Sequence, residues 1–201
     1  MKTIAFPYGN FVITDPATAL ARSLRALFLR RVVSLDAVSI SLRHGGGIVY
    51  VDGPSGAYVL LDQSPPPSIG APGRLRALHD RTYARFEDIH AIVTGRPPCV
   101  MGLLEAGLSL GEPTSMMKRR NIFRPDDHIV PGGSLDDGNV DELLTGARAR
   151  ADGAEMAHML IVVRGWGVIC CAPNLPEAVT HFQNVELSAR LEVARLTTAG
   201  G

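Results

Sequence analysis

The chain has 201 residues, 46% of them hydrophobic, with 20 basic against 20 acidic side chains. That length supports one well-buried domain and is short for two. A balanced charge without a basic block gives no reason to expect nucleic acid or an anionic membrane as partner, and no window approaches the ~20 apolar residues of a membrane helix.

The first residues are apolar after Lys2, but Pro7, Gly9 and Asn10 break the run before a signal-peptide core forms. Three cysteines include the adjacent pair Cys170-Cys171, whose side chains in a strand point to opposite faces. They read as reduced packing residues, and a cytoplasmic address is expected.

Thr14-Asp15-Pro16 reads as a helix start, with Asp15 as cap and Pro16 at the first helical position. Leu20, Leu24, Leu27 and Phe28 follow at helical spacing. Three short strands are expected over 37–43, 47–51 and 57–61, separated by the glycine-rich turns 44–47 and 52–56. Residues 63–73, rich in Pro, Ser and Gly, read as a loop. A second helix then carries Leu75, Leu78 and Phe86 on its apolar side, with His79 and Tyr83 one turn apart.

A buried strand is expected over 89–93, entering a loop at Gly95 and stopped by Pro97-Pro98. Residues 100–104 suggest a helical turn, and 109–137, with three prolines and several glycines, a mobile or interface-forming excursion. Asn139 is read as the cap of a further helix carrying Val140, Leu143, Leu144 and Ala147 and ending near 152–153. Strands over 159–163 and 167–171 flank the tight turn Arg164-Gly165-Trp166. In the final helix, Asn174 and Glu177 form a capping-box variant, and Ala178, Phe182, Val185, Ala189, Val193 and Leu196 recur at spacings of three and four. The order implies a central, largely antiparallel sheet with helices packed on it.

Four short runs, in this order, resemble the class II aldolase/adducin family. Ser39-Ile-Ser-Leu-Arg43 is similar to the family's Asn-x-Ser-x-Arg, and Gly53-Pro-Ser-Gly56 to its Thr-Pro-Ser-Gly. Ala91-Ile-Val-Thr-Gly-Arg-Pro97 is similar to Ala-Val-Val-His-x-His-Pro, and Arg164-Gly-Trp-Gly167 to Arg-Asn-His-Gly. The resemblance runs from about Ala17 to the end. It implies a three-layer α/β fold of the class II aldolase type as a single domain, and a homo-oligomer, a tetramer by family analogy.

In the family three histidines hold a divalent metal. The resemblance places Thr94, Arg96 and Trp166 at those positions, and Leu75 at or near the catalytic glutamate. No H-x-H or C-x-x-C spacing occurs to rebuild the site. It therefore implies the fold without the family's metal, and no cofactor is expected.

Arg96 becomes the candidate anchor for a carboxylate, phosphate or enolate oxygen, with Tyr83 and His79 as acid/base partners. Ser39, Ser55, Gly56, Gly73, Arg74, Thr94 and Trp166 are the residues expected around a small anionic substrate. The plain alternatives are a surface arginine paired with an acid such as Glu105, turn glycines without a ligand, a histidine and tyrosine that pack a helix on a sheet, and a tryptophan that plugs the former metal cavity. Two functions follow. One is a metal-independent enzyme of lyase-like or related acid/base chemistry on a small anionic carbonyl compound. The other is a catalytically inactive structural or regulatory subunit.

Overall fold

A computed structural model describes residues 15–33, 38–45, 47–52, 58–61, 72–110, 129–130, 137–150 and 158–199. The first helix, α1 (Pro16–Leu29), starts as its sequence requires: the Asp15 carboxylate accepts from the backbone N–H of Ala17, and Pro16 occupies the first turn. Three antiparallel strands follow, β1 (Val38–His44), β2 (Gly47–Asp52) and β3 (Tyr58–Leu61). Then come α2 (Pro72–Arg85), β4 (Ala91–Gly95), α3 (Pro98–Glu105) and β5 (Ile129–Val130). The chain continues through α4 (Asp137–Arg150), β6 (Met159–Val163), β7 (Gly167–Ala172) and α5 (Leu175–Ala199).

The strands form one sheet in the order β3-β2-β1-β4-β7-β6-β5, antiparallel except for the parallel β5–β6 pair. Strands β4, β6 and β7 are buried on both faces, which is why they read as continuous apolar runs rather than alternating ones. On one face Val38, Ile40, Leu42, Val93, Val168 and Cys170 pack against α1, α3 and α5; on the other Ile92, Ile161, Ile169 and Cys171 meet α2 and α4. The adjacent cysteines thus face opposite layers, as strand geometry demands.

Several boundaries differ from expectation. The central strand covers Ala91–Gly95 rather than 89–93, because β1 pairs with it as far as Val38↔Gly95 and the ladder continues through the glycine. Gly73 lies inside α2 rather than in the preceding loop, and α4 begins two residues before Asn139. Part of the 109–137 excursion is built into the molecule: Leu110 is fully buried, and Ile129–Val130 pairs with Val162–Val163. Residues 111–128 and 131–136 of that stretch, most of the 63–73 loop, and the Gly53–Gly56 run lie outside the described residues.

Both ends of this frame are held by side chains that reach across it. Asn174 Oδ1 accepts from the Glu177 N–H at 2.9 Å and its amide donates to Glu177 Oε1 at 2.7 Å, so the box closes through the asparagine side chain. The other carboxylate oxygen of Glu177 lies 2.5 Å from His158 Nε2, tying the start of β6 to α5.

Helix α3 has Pro97 at its N-cap position and no capping side chain of its own. Glu186, from the middle of α5 and 1% exposed, supplies one. Its carboxylate accepts from Cys99 N (3.1 Å) and Val100 N (3.3 Å), and from Arg190 Nε (2.9 Å). An anion at a helix N-terminus meets both unpaired N–H groups and the positive end of the dipole. Arg190 also donates to the carbonyls of Arg30 and Arg31 at the end of α1, so one ion pair joins three helices.

Candidate functional site

The site is set by alternation on β1. Val38, Ile40 and Leu42 take one face, which leaves Ser39, Ser41 and Arg43 on the side of α2. The β1–β4 register sets Ser39 opposite Thr94 and Ser41 opposite Ile92. Across from them α2 presents His79 and Tyr83, one turn apart and therefore on the same stripe. The five polar side chains meet between helix and sheet.

Ser39 Oγ and Thr94 Oγ1 are 2.5 Å apart. His79 Nε2 lies 3.2 Å from Thr94 Oγ1 and 3.5 Å from Ser39 Oγ, while Nδ1 lies 2.7 Å from Ser41 Oγ. Ser41 Oγ is 2.8 Å from Tyr83 OH, which also reaches the His90 carbonyl at 3.5 Å. One donor sequence satisfies the row: Tyr83 donates to Ser41, Ser41 to Nδ1, the Nε2–H to Thr94, and Thr94 to Ser39. A neutral imidazole with one donor and one acceptor nitrogen is what such a row requires. The Tyr50 ring packs edge-on against the imidazole, with centroids 5.3 Å apart.

His79, Ser39, Ser41 and Thr94 are all 0% exposed. Burial drives the His79 pKa down to about 3 and pushes the Tyr83 phenol well above its ordinary value. Near neutral pH both groups are uncharged. Arg43 closes the edge: Nη2 donates to the carbonyls of Tyr83 (2.5 Å) and Phe86 (3.3 Å) at the end of α2, and the guanidinium lies 5.1 Å from the Tyr83 ring centroid.

Of the residues expected at the site, the structure unites Ser39, His79, Tyr83 and Thr94, and adds Ser41. Arg96 does not join them. Its side chain is exposed past the end of β4, where Nη1 donates to the Gly165 carbonyl at 3.4 Å. Trp166, next in the same turn, is half-buried and packs on the α2/α4 side of the core. Gly73 and Arg74 lie in the first turn of α2, while Ser55 and Gly56 fall outside the described residues. Among the described residues Arg96 forms no salt bridge, with Glu105 or any other acid.

The turn itself is shaped for close approach. Gly165 has φ +76°, a left-handed conformation that glycine adopts without steric cost. A Cβ on Gly167 would stand 2.4 Å from the Gly95 carbonyl oxygen, so only glycine fits there.

A divalent metal does not fit the three positions where the resembled family places its histidines. The Thr94 hydroxyl is engaged by Ser39 and His79, Arg96 is a permanent cation, and the Trp166 indole has no lone pair to offer. Among the described residues no group of three His, Cys, Asp or Glu side chains could hold an ion.

No family profile and no curated protein sequence matches the chain. Solved structures do. L-fuculose-1-phosphate aldolase from Thermus thermophilus superposes with a TM-score of 0.67 at 18% identity, covering 92% of this chain and 96% of that one. YgbL from Escherichia coli, described as a putative aldolase/epimerase/decarboxylase, gives 0.59 at 17% identity, covering 87% and 86%. L-fuculose 1-phosphate aldolase from Glaciozyma antarctica PI12 gives 0.68 at 12% identity, covering 96% and 80%. The chain has the class II aldolase fold over nearly its whole length. At these identities the likeness is one of fold.

Proposed function

We propose that this chain is a metal-independent protein on the class II aldolase fold that binds a small anionic carbonyl compound through Arg96. In this reading it acts by binding, as a regulatory or structural subunit, rather than by a lyase step through His79 and Tyr83. The observation that carries the reading is the closure of the polar row. His79 is 0% exposed, both ring nitrogens are engaged, and the ring stays neutral down to a pH of about 3. A general base must reach the proton it removes, and this one reaches only its neighbours.

Arg96 supports the anion. It is exposed, and among the described residues one long contact, to the Gly165 carbonyl, engages only one of its five donors. A sugar phosphate is the first ligand class to try, since several similar structures are described as sugar-phosphate or L-fuculose-1-phosphate aldolases.

The test is equilibrium binding of L-fuculose 1-phosphate, with aldol cleavage measured in parallel. Binding without cleavage is expected. Arg96→Ala should weaken it by about 2 kcal/mol, roughly thirtyfold, the value of a hydrogen bond to a charged group. Arg96→Lys should restore part of the loss, because an ammonium lacks the planar fork. Stability of both variants should stay within ~1 kcal/mol of the parent, as for an exposed charge. Unchanged affinity in Arg96→Ala would remove the anchor.

The lyase-like reading keeps one observation in its favour: the guanidinium has no carboxylate partner among the described residues and so has donors open for an enolate oxygen. Cleavage activity lost in Arg96→Ala and His79→Gln alike would establish it.

A homo-oligomer, a tetramer by family analogy, belongs to the same proposal. Leu187 and Leu191, one turn apart on α5, are 46% and 55% exposed, more apolar surface than a solvent-facing helix needs. Sedimentation at micromolar concentration should give a multiple of the chain mass, and a monomer would contradict it. No helix among the described residues is long and apolar enough to cross a membrane. A cytoplasmic address and the absence of nucleic-acid partners complete the proposal.

A further inference from the structure

We propose that Gly167 positions the Arg96 guanidinium for a planar pair of anion oxygens, from a carboxylate or a phosphate; this rests on the Arg96 reading above. A Cβ at position 167 would lie 2.4 Å from the Gly95 oxygen and 3.5 Å from Arg96 Cγ. The stem of Arg96 therefore lies against a stretch of β7 backbone that carries no side chain. From that bed Nη1 reaches the Gly165 carbonyl at 3.4 Å, so the stem and one edge of the fork are both placed by the same turn.

Trp166, between the two glycines, is set half-buried against the core and holds the turn to the sheet. The fork's remaining N–H groups are then presented together, in the fixed spacing that matches two oxygens of one anion. A methyl group at 167 cannot be accommodated where the Gly95 carbonyl stands. It must push the end of β4 away, and Arg96 moves with it. Orientation is lost although the arginine is still present.

The experiment measures phosphate and L-fuculose 1-phosphate affinity in the parent, Gly167→Ala, Arg96→Ala and the double variant, each well below its melting temperature. Gly167→Ala should weaken binding about tenfold, and should add nothing in the Arg96→Ala background. Additive losses would show that Gly167 acts through the fold at large and overturn the positioning role. Loss in Arg96→Ala with none in Gly167→Ala would overturn it while leaving the anion reading intact. No loss in Arg96→Ala would overturn both.

If Gly167→Ala does not fold, nitrogen relaxation of the Arg96 Nε–H in the parent decides. A guanidinium held on the picosecond–nanosecond scale without ligand is expected. One as mobile as the exposed Arg25 would overturn the proposal.

Discussion

Acidification is expected to destabilise the protein through His79 alone by about 4 kcal/mol between neutral pH and about pH 3.5. In the unfolded chain this imidazole takes up a proton near its ordinary value of 6.5; in the folded protein burial delays that to about 3. Within that window the unfolded state binds more protons. Its share of the population therefore rises as the pH falls, and stability falls with it. His79→Gln keeps a donor and an acceptor beside Ser41 and Thr94 but has no proton to gain. The stability of the parent relative to His79→Gln should therefore fall by ~1.4 kcal/mol per pH unit through the middle of the window. Carboxylates and the remaining histidines are common to both chains and cancel in the difference. Parallel pH profiles would mean that His79 is not held neutral by the fold.

The second large effect is expected at Glu186, far from that row. Glu186→Ala should cost about 3 kcal/mol, at the lower end of what breaking a buried ion pair costs, because Arg190 keeps some solvent. Three things are lost together. The Cys99 and Val100 N–H groups lose their acceptor, α3 loses an anion at its N-terminus, and Arg190 loses the partner that holds it over the end of α1. Pro97 offers no side chain that could take over the cap. The midpoint of urea unfolding should drop with an unchanged slope, and the melting temperature should fall by roughly 6–12 °C for a chain of this size. A cost below ~1 kcal/mol would place Glu186 among ordinary surface acids.

These two residues mark what is and is not legible in the sequence. The His79–Tyr83 pair is visible as an i,i+4 stripe, and the Ser39-x-Ser41 alternation is visible on its strand. Their closure into one row is not. It depends on a β1–β4 register joining residues 55 apart in the chain, and a slip by one residue would turn both serines to the opposite face. Ser41 enters the sequence reading only through a motif resemblance, not as part of the site. The signal that could have found it is its period-two spacing from Ser39 opposite a helical His/Tyr pair.

Glu186 gives no signal at all. Between Val185 and Leu187 it reads as an ordinary polar helix position, and only the N-terminus of α3 arriving from elsewhere in the chain gives it a reason to be buried. The two-residue β5 is likewise too short to announce itself, since its partner, β6, supplies the ladder. For Arg96, motif position correctly locates the residue at the strand end. It cannot say that the side chain lies outside, on the neighbouring turn.

A closed, neutral hydroxyl–imidazole row and a metal site make opposite demands on their surroundings. A divalent ion needs deprotonated donors and open coordination, whereas a dry interior needs every donor and acceptor matched. In Ser39, Ser41, His79, Tyr83 and Thr94 each polar group is engaged by at least one neighbour in the row. In the proposed function the anion is met outside this row, by the exposed Arg96 beside Gly165.

The most direct test of that account is an imidazole NMR titration of His79 in the intact protein, with and without L-fuculose 1-phosphate. A single neutral tautomer is predicted, with resonances that stay flat from pH 8 down to the onset of acid unfolding and do not respond to the ligand. A His79 resonance that titrates near its ordinary value of 6.5, or that shifts when the sugar phosphate binds, would contradict it and return His79 to an open, working site.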